Sequence, residues 1–184
     1  MPRPAATFAA GLAVVLLLAG CMPPDPIITP EPGPGATPVF ASDEEALAAA
    51  TDAYAKYRSV LDEIFTKGGN DLSKLATVAT GDQLQVEMSS FAEIKNRGLH
   101  STGGTTFTTQ GLQQYDPGSP DGHSIVVAYI CEDVSSVDVL NSSGESVVSP
   151  DRPDTSLYEV AFDLDSGGQQ LLVSHKERWS DSPC

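Results

Sequence analysis

The sequence predicts an α+β fold in which three helices precede an antiparallel sheet of four to six strands. Two observations carry this. Apolar residues recur with a period near 3.6 as far as Arg97, and with a period of two from Thr105 onward. Clusters rich in Gly, Asn, Asp and Ser separate the later apolar runs at short intervals, as in a strand meander. Helices followed by strands, rather than alternating with them, place the helices against an antiparallel sheet.

The first helix starts at Ser42-Asp43-Glu44-Glu45, a capping box in which the Ser42 side chain reaches the Glu45 amide and the Glu45 side chain reaches back. Gly68 suits the position just past its end. Between them Leu47, Ala50, Tyr54, Tyr57, Val60, Leu61, Ile64 and Phe65 fall within an arc of about 140°. At 1.5 Å per residue the helix is about 36 Å long, close to the diameter of the whole domain, so the rest packs on it. A short helix over about Leu72–Ala79 and another over about Gln83–Arg97 follow, the latter with Leu84, Met88, Phe91 and Ile94 on one side.

A Thr-rich strand holds Thr105, Phe107 and Thr109, and Asp116–Gly122 is a turn loop. Strands are then expected over about His123–Asp133, Ser136–Leu140, Glu145–Val148, Leu157–Leu164 and Gln170–Trp179, with hairpin turns at Asn141–Gly144 and Asp165–Gly168. In Leu157–Leu164 the alternation is clean, with Tyr158, Val160, Phe162 and Leu164 on one face. In Ser124–Cys131 both parities are apolar, so that strand needs cover on both sides. Helices supply one cover; a loop or a second subunit, as in a homodimer, supplies the other.

The N-terminus determines the expected address. Residues 1–20 read as a lipoprotein signal peptide: a single basic residue, Arg3, then an uncharged apolar run over Ala5–Ala19 that is shorter than the roughly 20 residues a membrane span needs. Leu18-Ala19-Gly20-Cys21 has the order of a bacterial lipobox, which makes Cys21 the expected lipid-attachment site. Diacyl modification holds a protein stably at a membrane, where one chain does not. Residues 21–41 follow as a lipidated, proline-rich tether with seven prolines before Ser42, too dense in proline to pack a core. Residues 42–184 form one α+β domain, long enough for a single core.

With Cys21 acylated, Cys131 and Cys184 remain as an even pair in an oxidising compartment, and their spacing matches no metal-ligand or redox motif. A disulfide between them would close a loop of about 53 residues, worth about 4 kcal/mol. The chain carries 10 basic and 25 acidic residues, a net charge of −15, which excludes a nucleic-acid footprint and argues against adhesion to an anionic bilayer surface.

Few residues carry candidate chemistry. Asp163-Leu-Asp165-Ser-Gly-Gly168 lacks the bidentate Glu of a calcium loop, because Ser174 stands there, so it reads as a hairpin turn. Glu132 and Asp133 are neighbours on a strand and project to opposite faces, so they do not form a catalytic pair. No phosphate-binding, nucleophile-elbow or zinc-helix motif occurs, so no catalytic residue, metal set or cofactor is expected. One pair remains: if Leu171, Val173, His175, Glu177 and Trp179 share a face, His175 and Glu177 continue it to a pocket mouth, where a carboxylate beside imidazole could act as acid and base or anchor a ligand. The alternative places both in water at the rim.

A long amphipathic first helix, two shorter ones and then antiparallel strands, with Cys131-Glu132-Asp133 on a central strand and Trp179 shortly before Cys184, resembles the nuclear transport factor 2-like cone fold. That superfamily includes ketosteroid-isomerase-like and SnoaL-like proteins. The resemblance spans about Ser42–Cys184 and is architectural. It implies a curved sheet cupping the helices, often with a pocket at the open end, and does not imply catalysis. The expected protein is a lipid-anchored extracytoplasmic lipoprotein whose domain binds an envelope protein or a small molecule. A pocket enzyme of the isomerase or dehydratase kind is the alternative.

Overall fold

The computed structural model describes residues 38–119, 122–180 and Cys184. The signal peptide 1–20, the lipid-attachment residue Cys21 and most of the 21–41 tether lie outside the described residues. The fold is α+β, with N-terminal helices packed on a four-stranded antiparallel sheet and a small two-stranded sheet beside it.

Helix α1 spans Asp43–Thr66. Its start is nearly the expected capping box: the Glu45 amide donates to Ser42 Oγ (3.3 Å), but the Glu45 carboxylate takes the amide of Ala41 (2.8 Å), one residue earlier. Its end is a Schellman motif. Gly68 adopts φ 69°, its amide donates to the Phe65 carbonyl, and the Gly69 amide donates to the Ile64 carbonyl. The buried stripe is Ala46, Ala50, Ala53, Tyr54, Tyr57, Leu61 and Ile64, so three alanines bring the first half of α1 close to the sheet. The packed region starts slightly before Ser42, because the Tyr115 hydroxyl accepts from the Phe40 amide (2.9 Å) and the Phe40 ring lies 5.7 Å from that of Tyr115.

The second expected helix is a 3₁₀ turn, Leu72–Thr77, and Gly81 opens the element that follows. Helix α2 spans Gly81–Asn96. Its inward face departs from expectation: Phe91 is buried, but Met88 is exposed and the polar Gln83 is buried.

Strands β1 (His100–Thr102) and β4 (Asp138–Leu140) pair with each other to form the small sheet. β1 has no apolar alternation, which is why the sequence pattern passes over it. The expected strand at Glu145–Val148 reduces to a bridge between Ser146 and Leu140. Val147 there is exposed, so nothing is buried by extending the pairing. The large sheet has the order β2 (Thr106–Tyr115), β3 (Val126–Asp133), β5 (Thr155–Leu164), β6 (Leu171–Ser180), antiparallel throughout.

In β3, Val126, Ala128 and Ile130 face the helices and join the main core. Val127 and Cys131 on the other face are also buried within the single chain, and the Tyr129 ring lies 5.0 Å from that of Trp179. Cys131 is disulfide-bonded to Cys184. This cover of the outer face of β3 comes from within the chain.

Register changes the reading of β6. Val173 pairs with Phe162 but His175 pairs with Ala161, so Ser174 is an extra residue. Such a bulge reverses the face of everything beyond it. Leu171 and Val173 are buried in the core, as expected, whereas past Ser174 it is Lys176, paired with the buried Glu132, that reaches inward.

Candidate functional site

The residues that come together are not those the sequence singled out. His175 and Glu177 lie beyond the bulge, with side chains 57% and 58% exposed and 3.6 Å apart (Nε2 to Oε2). Neither lines the cavity described below, because the bulge at Ser174 puts them on the other face of β6. His123 is largely exposed, with Nδ1 2.8 Å from the Asp163 carboxylate. Asp165 closes its hairpin as expected, with Oδ1 accepting from the Gln169 and Gln170 amides.

Glu132 is the centre instead. It ends the run of inward residues on β3 and is 5% exposed. Tyr54 of α1 donates its hydroxyl to Oε1 at 2.7 Å, Arg58 Nη1 lies 3.3 Å from Oε1, and Lys176 Nζ donates to Oε2 at 2.8 Å. Arg58 also donates through Nη2 to Asp62 Oδ1 (2.7 Å) and Thr105 Oγ1 (2.8 Å). The Lys176 ammonium sits 4.0 Å from the centroid of the Tyr158 ring, a cation–π contact. The helical spacing of Tyr54, Arg58 and Asp62 puts all three on one flank of α1, facing the end of β3.

Electrostatics make this a paired, ionised cluster. Burial pushes the Glu132 carboxyl up, but the charges of Lys176 and Arg58 and the hydrogen bonds from Lys176 and Tyr54 outweigh it and hold it below its ordinary value. Burial, and then the Glu132 charge, raise the Tyr54 phenol well above its usual range. Burial lowers the Arg58 guanidinium, and the surrounding Glu132, Tyr54 and Asp62 more than offset that. A second cluster lies alongside: the Tyr57 hydroxyl donates to Glu87 Oε1, and Gln83 Nε2 donates to the same oxygen at 2.7 Å. Burial, followed by the Glu87 charge, raises the Tyr57 phenol as well. Each of these shifts holds its group in one protonation state at neutral pH.

Beside the clusters lies a partly open cavity of about 310 Å³ between α1, α2 and the β1–β4 ribbon. Arg58, Glu87 and Glu132 contribute to one wall, and Phe65, Phe91, Ile94, Val134, Val137 and Val139 supply apolar surface. Gly103 forms part of the lining at φ 73°, and a Cβ there would meet the Ser136 carbonyl oxygen at 2.0 Å, so this turn requires glycine. Arg152, in the segment before β5, completes the lining and donates from Nη2 to the carbonyls of Val134 (2.9 Å) and Val137 (2.8 Å). Among the described residues no group of three or more His, Cys, Asp or Glu side chains is placed to hold a metal ion.

Two signals could have exposed the site. Glu132 shares parity with Val126, Ala128 and Ile130, an acid at the end of an apolar face. Tyr54, Arg58 and Asp62 recur every four residues along one helix flank. Neither signal names the partner, because Tyr54 and Glu132 are 78 residues apart.

No family model matches this chain, and no curated protein matches it. Among solved structures, the intermembrane space region of chloroplast protein ARC6 is similar to it with a TM-score of 0.54 and 11% identity, covering 72% of this chain and 95% of that one. A structure from Catenulispora acidiphila aligns with a TM-score of 0.41 and 15% identity, over 71% of this chain and 89% of that one. A de novo designed β-sheet protein aligns with a TM-score of 0.32 and 13% identity, over 77% and 92%. At these identities the likeness to the ARC6 region is one of fold: helices on an antiparallel sheet.

Proposed function

We propose that this chain is an extracytoplasmic lipoprotein, anchored through lipid on Cys21, whose cone-like domain binds a small molecule in the cavity between α1, α2 and the β1–β4 ribbon. The address rests on the lipobox order of Leu18–Cys21, and the Cys131–Cys184 disulfide agrees with an oxidising compartment. The helices-then-sheet architecture agrees with the nuclear transport factor 2-like resemblance, in which such a cavity serves binding. The cavity itself carries the functional reading. Its volume lies at the small end of the range for ligand pockets, and it combines an apolar wall with a few fixed polar groups.

The electrostatics support binding over acid–base chemistry. A general acid or base works best when its pKa lies near the operating pH. Glu132 is shifted down, and Tyr54 and Tyr57 are shifted up, all away from neutrality. The isomerase or dehydratase alternative drew on His175 and Glu177, which stand exposed on the outer face of β6.

Native mass spectrometry of the protein extracted from its own membranes tests the proposal. The expected result is a retained small molecule on the wild-type chain that is lost from a Val139→Phe variant, whose larger side chain fills the cavity. Retention of the same molecule by that variant, or no bound molecule on either protein, would overturn it.

A further inference from the structure

Resting on that reading, we infer that the cavity selects a small monocarboxylate with an apolar body, its carboxylate taken by Arg152. The argument starts from a difference between the two arginines that line the cavity. Arg58 is matched by Asp62 and Glu132. Arg152 has no carboxylate within ion-pair distance among the described residues, and both of its hydrogen bonds leave from Nη2 toward backbone carbonyls. Its Nε is buried without an acceptor, as is that of Arg58, so the charge match and not this atom separates the two. A guanidinium does not shed its proton to relieve such a position. With Nη2 engaged and Nε shut away, Nη1 is the donor left to a ligand.

The cavity's other charge without an opposite partner among the described residues is Glu87, and it differs in one way. Its carboxylate already accepts from Tyr57 and Gln83. The balance therefore favours an anion at the Arg152 end over a cation at the Glu87 end. The remaining lining, Phe65, Phe91, Ile94 and the three valines 134, 137 and 139, suits an aryl or alkyl body. At roughly 30 Å³ per water-sized unit, about 310 Å³ holds on the order of ten non-hydrogen atoms.

The test is calorimetric titration of the full-length, detergent-solubilised protein with three water-soluble probes of nearly equal size: 3-phenylpropanoate, 3-phenylpropanamide and 3-phenylpropylammonium. The carboxylate is expected to bind at least about tenfold more tightly than the amide, the increment of one charge-assisted hydrogen bond, and the ammonium more weakly still. Arg152→Gln should abolish the preference for the carboxylate. If that variant fails to fold, the three-probe series on the wild-type chain decides alone. Equal affinity for carboxylate and amide, or a preference for the ammonium, would overturn the inference while leaving the cavity as a binding site. Binding of none of the three, together with no retained molecule in native mass spectrometry, would remove both readings.

Discussion

Glu132 is the residue on which the interior turns. It brings a charge into the core, and three donors from α1 and β6 make that tolerable. Removing one partner of a buried pair costs far more than exchanging the pair for apolar groups, because the remaining charge is stranded. Lys176→Met should therefore destabilise the domain by about 3 kcal/mol, the low end for such a loss, since Arg58 and Tyr54 stay in place; chemical denaturation measures it. The same residue predicts a pH dependence. The folded carboxyl has its pKa below the unfolded value, so the unfolded state binds protons first as pH falls. The stability Glu132 contributes is full above about pH 5 and drains away below it. Stability measured against pH should fall more steeply on the acid side in the wild type than in Glu132→Gln, and parallel curves would refute this. Sequence reading saw Glu132 only as the neighbour of Asp133 on a strand. What it lacked was the long-range pairing that points Tyr54 and Lys176 at one carboxylate.

At the scale of elements, local signals were legible and register was not. Ser42 and Gly68 announced both ends of α1, because caps are written in a few adjacent residues. The hairpin at Asp165–Gly168 and the inward face of β5 were readable for the same reason. Ser174 was not, since a bulge depends on how β6 meets β5, and counting alternate residues through it assigns His175 and Glu177 to the wrong face. β1 was missed because its three residues are organised by β4 rather than by their own pattern. The bulge makes a direct prediction. Deleting Ser174 removes the extra residue and leaves Lys176 on its inward face by regular alternation, so the pair with Glu132 should survive and the deletion should cost less than the about 3 kcal/mol of Lys176→Met, while Ser174→Ala, which loses one 3.3 Å hydrogen bond to the Ala161 carbonyl, should cost about 1 kcal/mol or less. A deletion that costs as much as Lys176→Met would contradict the bulge's role.

At the scale of the whole molecule, the disulfide was accessible from counting cysteines because it needs only an even number of thiols and an oxidising compartment. It joins Cys184 to the outer face of β3 across a separation of 53 residues. In the chain-entropy account, replacing both Cys131 and Cys184 by serine should lower stability by about 4 kcal/mol, read from denaturant midpoints with unchanged slopes. The cavity was not accessible in this way: its lining draws on both helices, the β1–β4 ribbon, the end of β3 and the segment before β5, and only the assembled fold brings them together. That the cavity is where this protein meets its ligand is the central claim. It is tested most directly by intermolecular nuclear Overhauser effects from bound 3-phenylpropanoate. The account predicts contacts from the phenyl ring to the side chains of Phe91 and Val139; contacts confined to Trp179 and Tyr129 on the outer sheet face, or none to the protein, would contradict it.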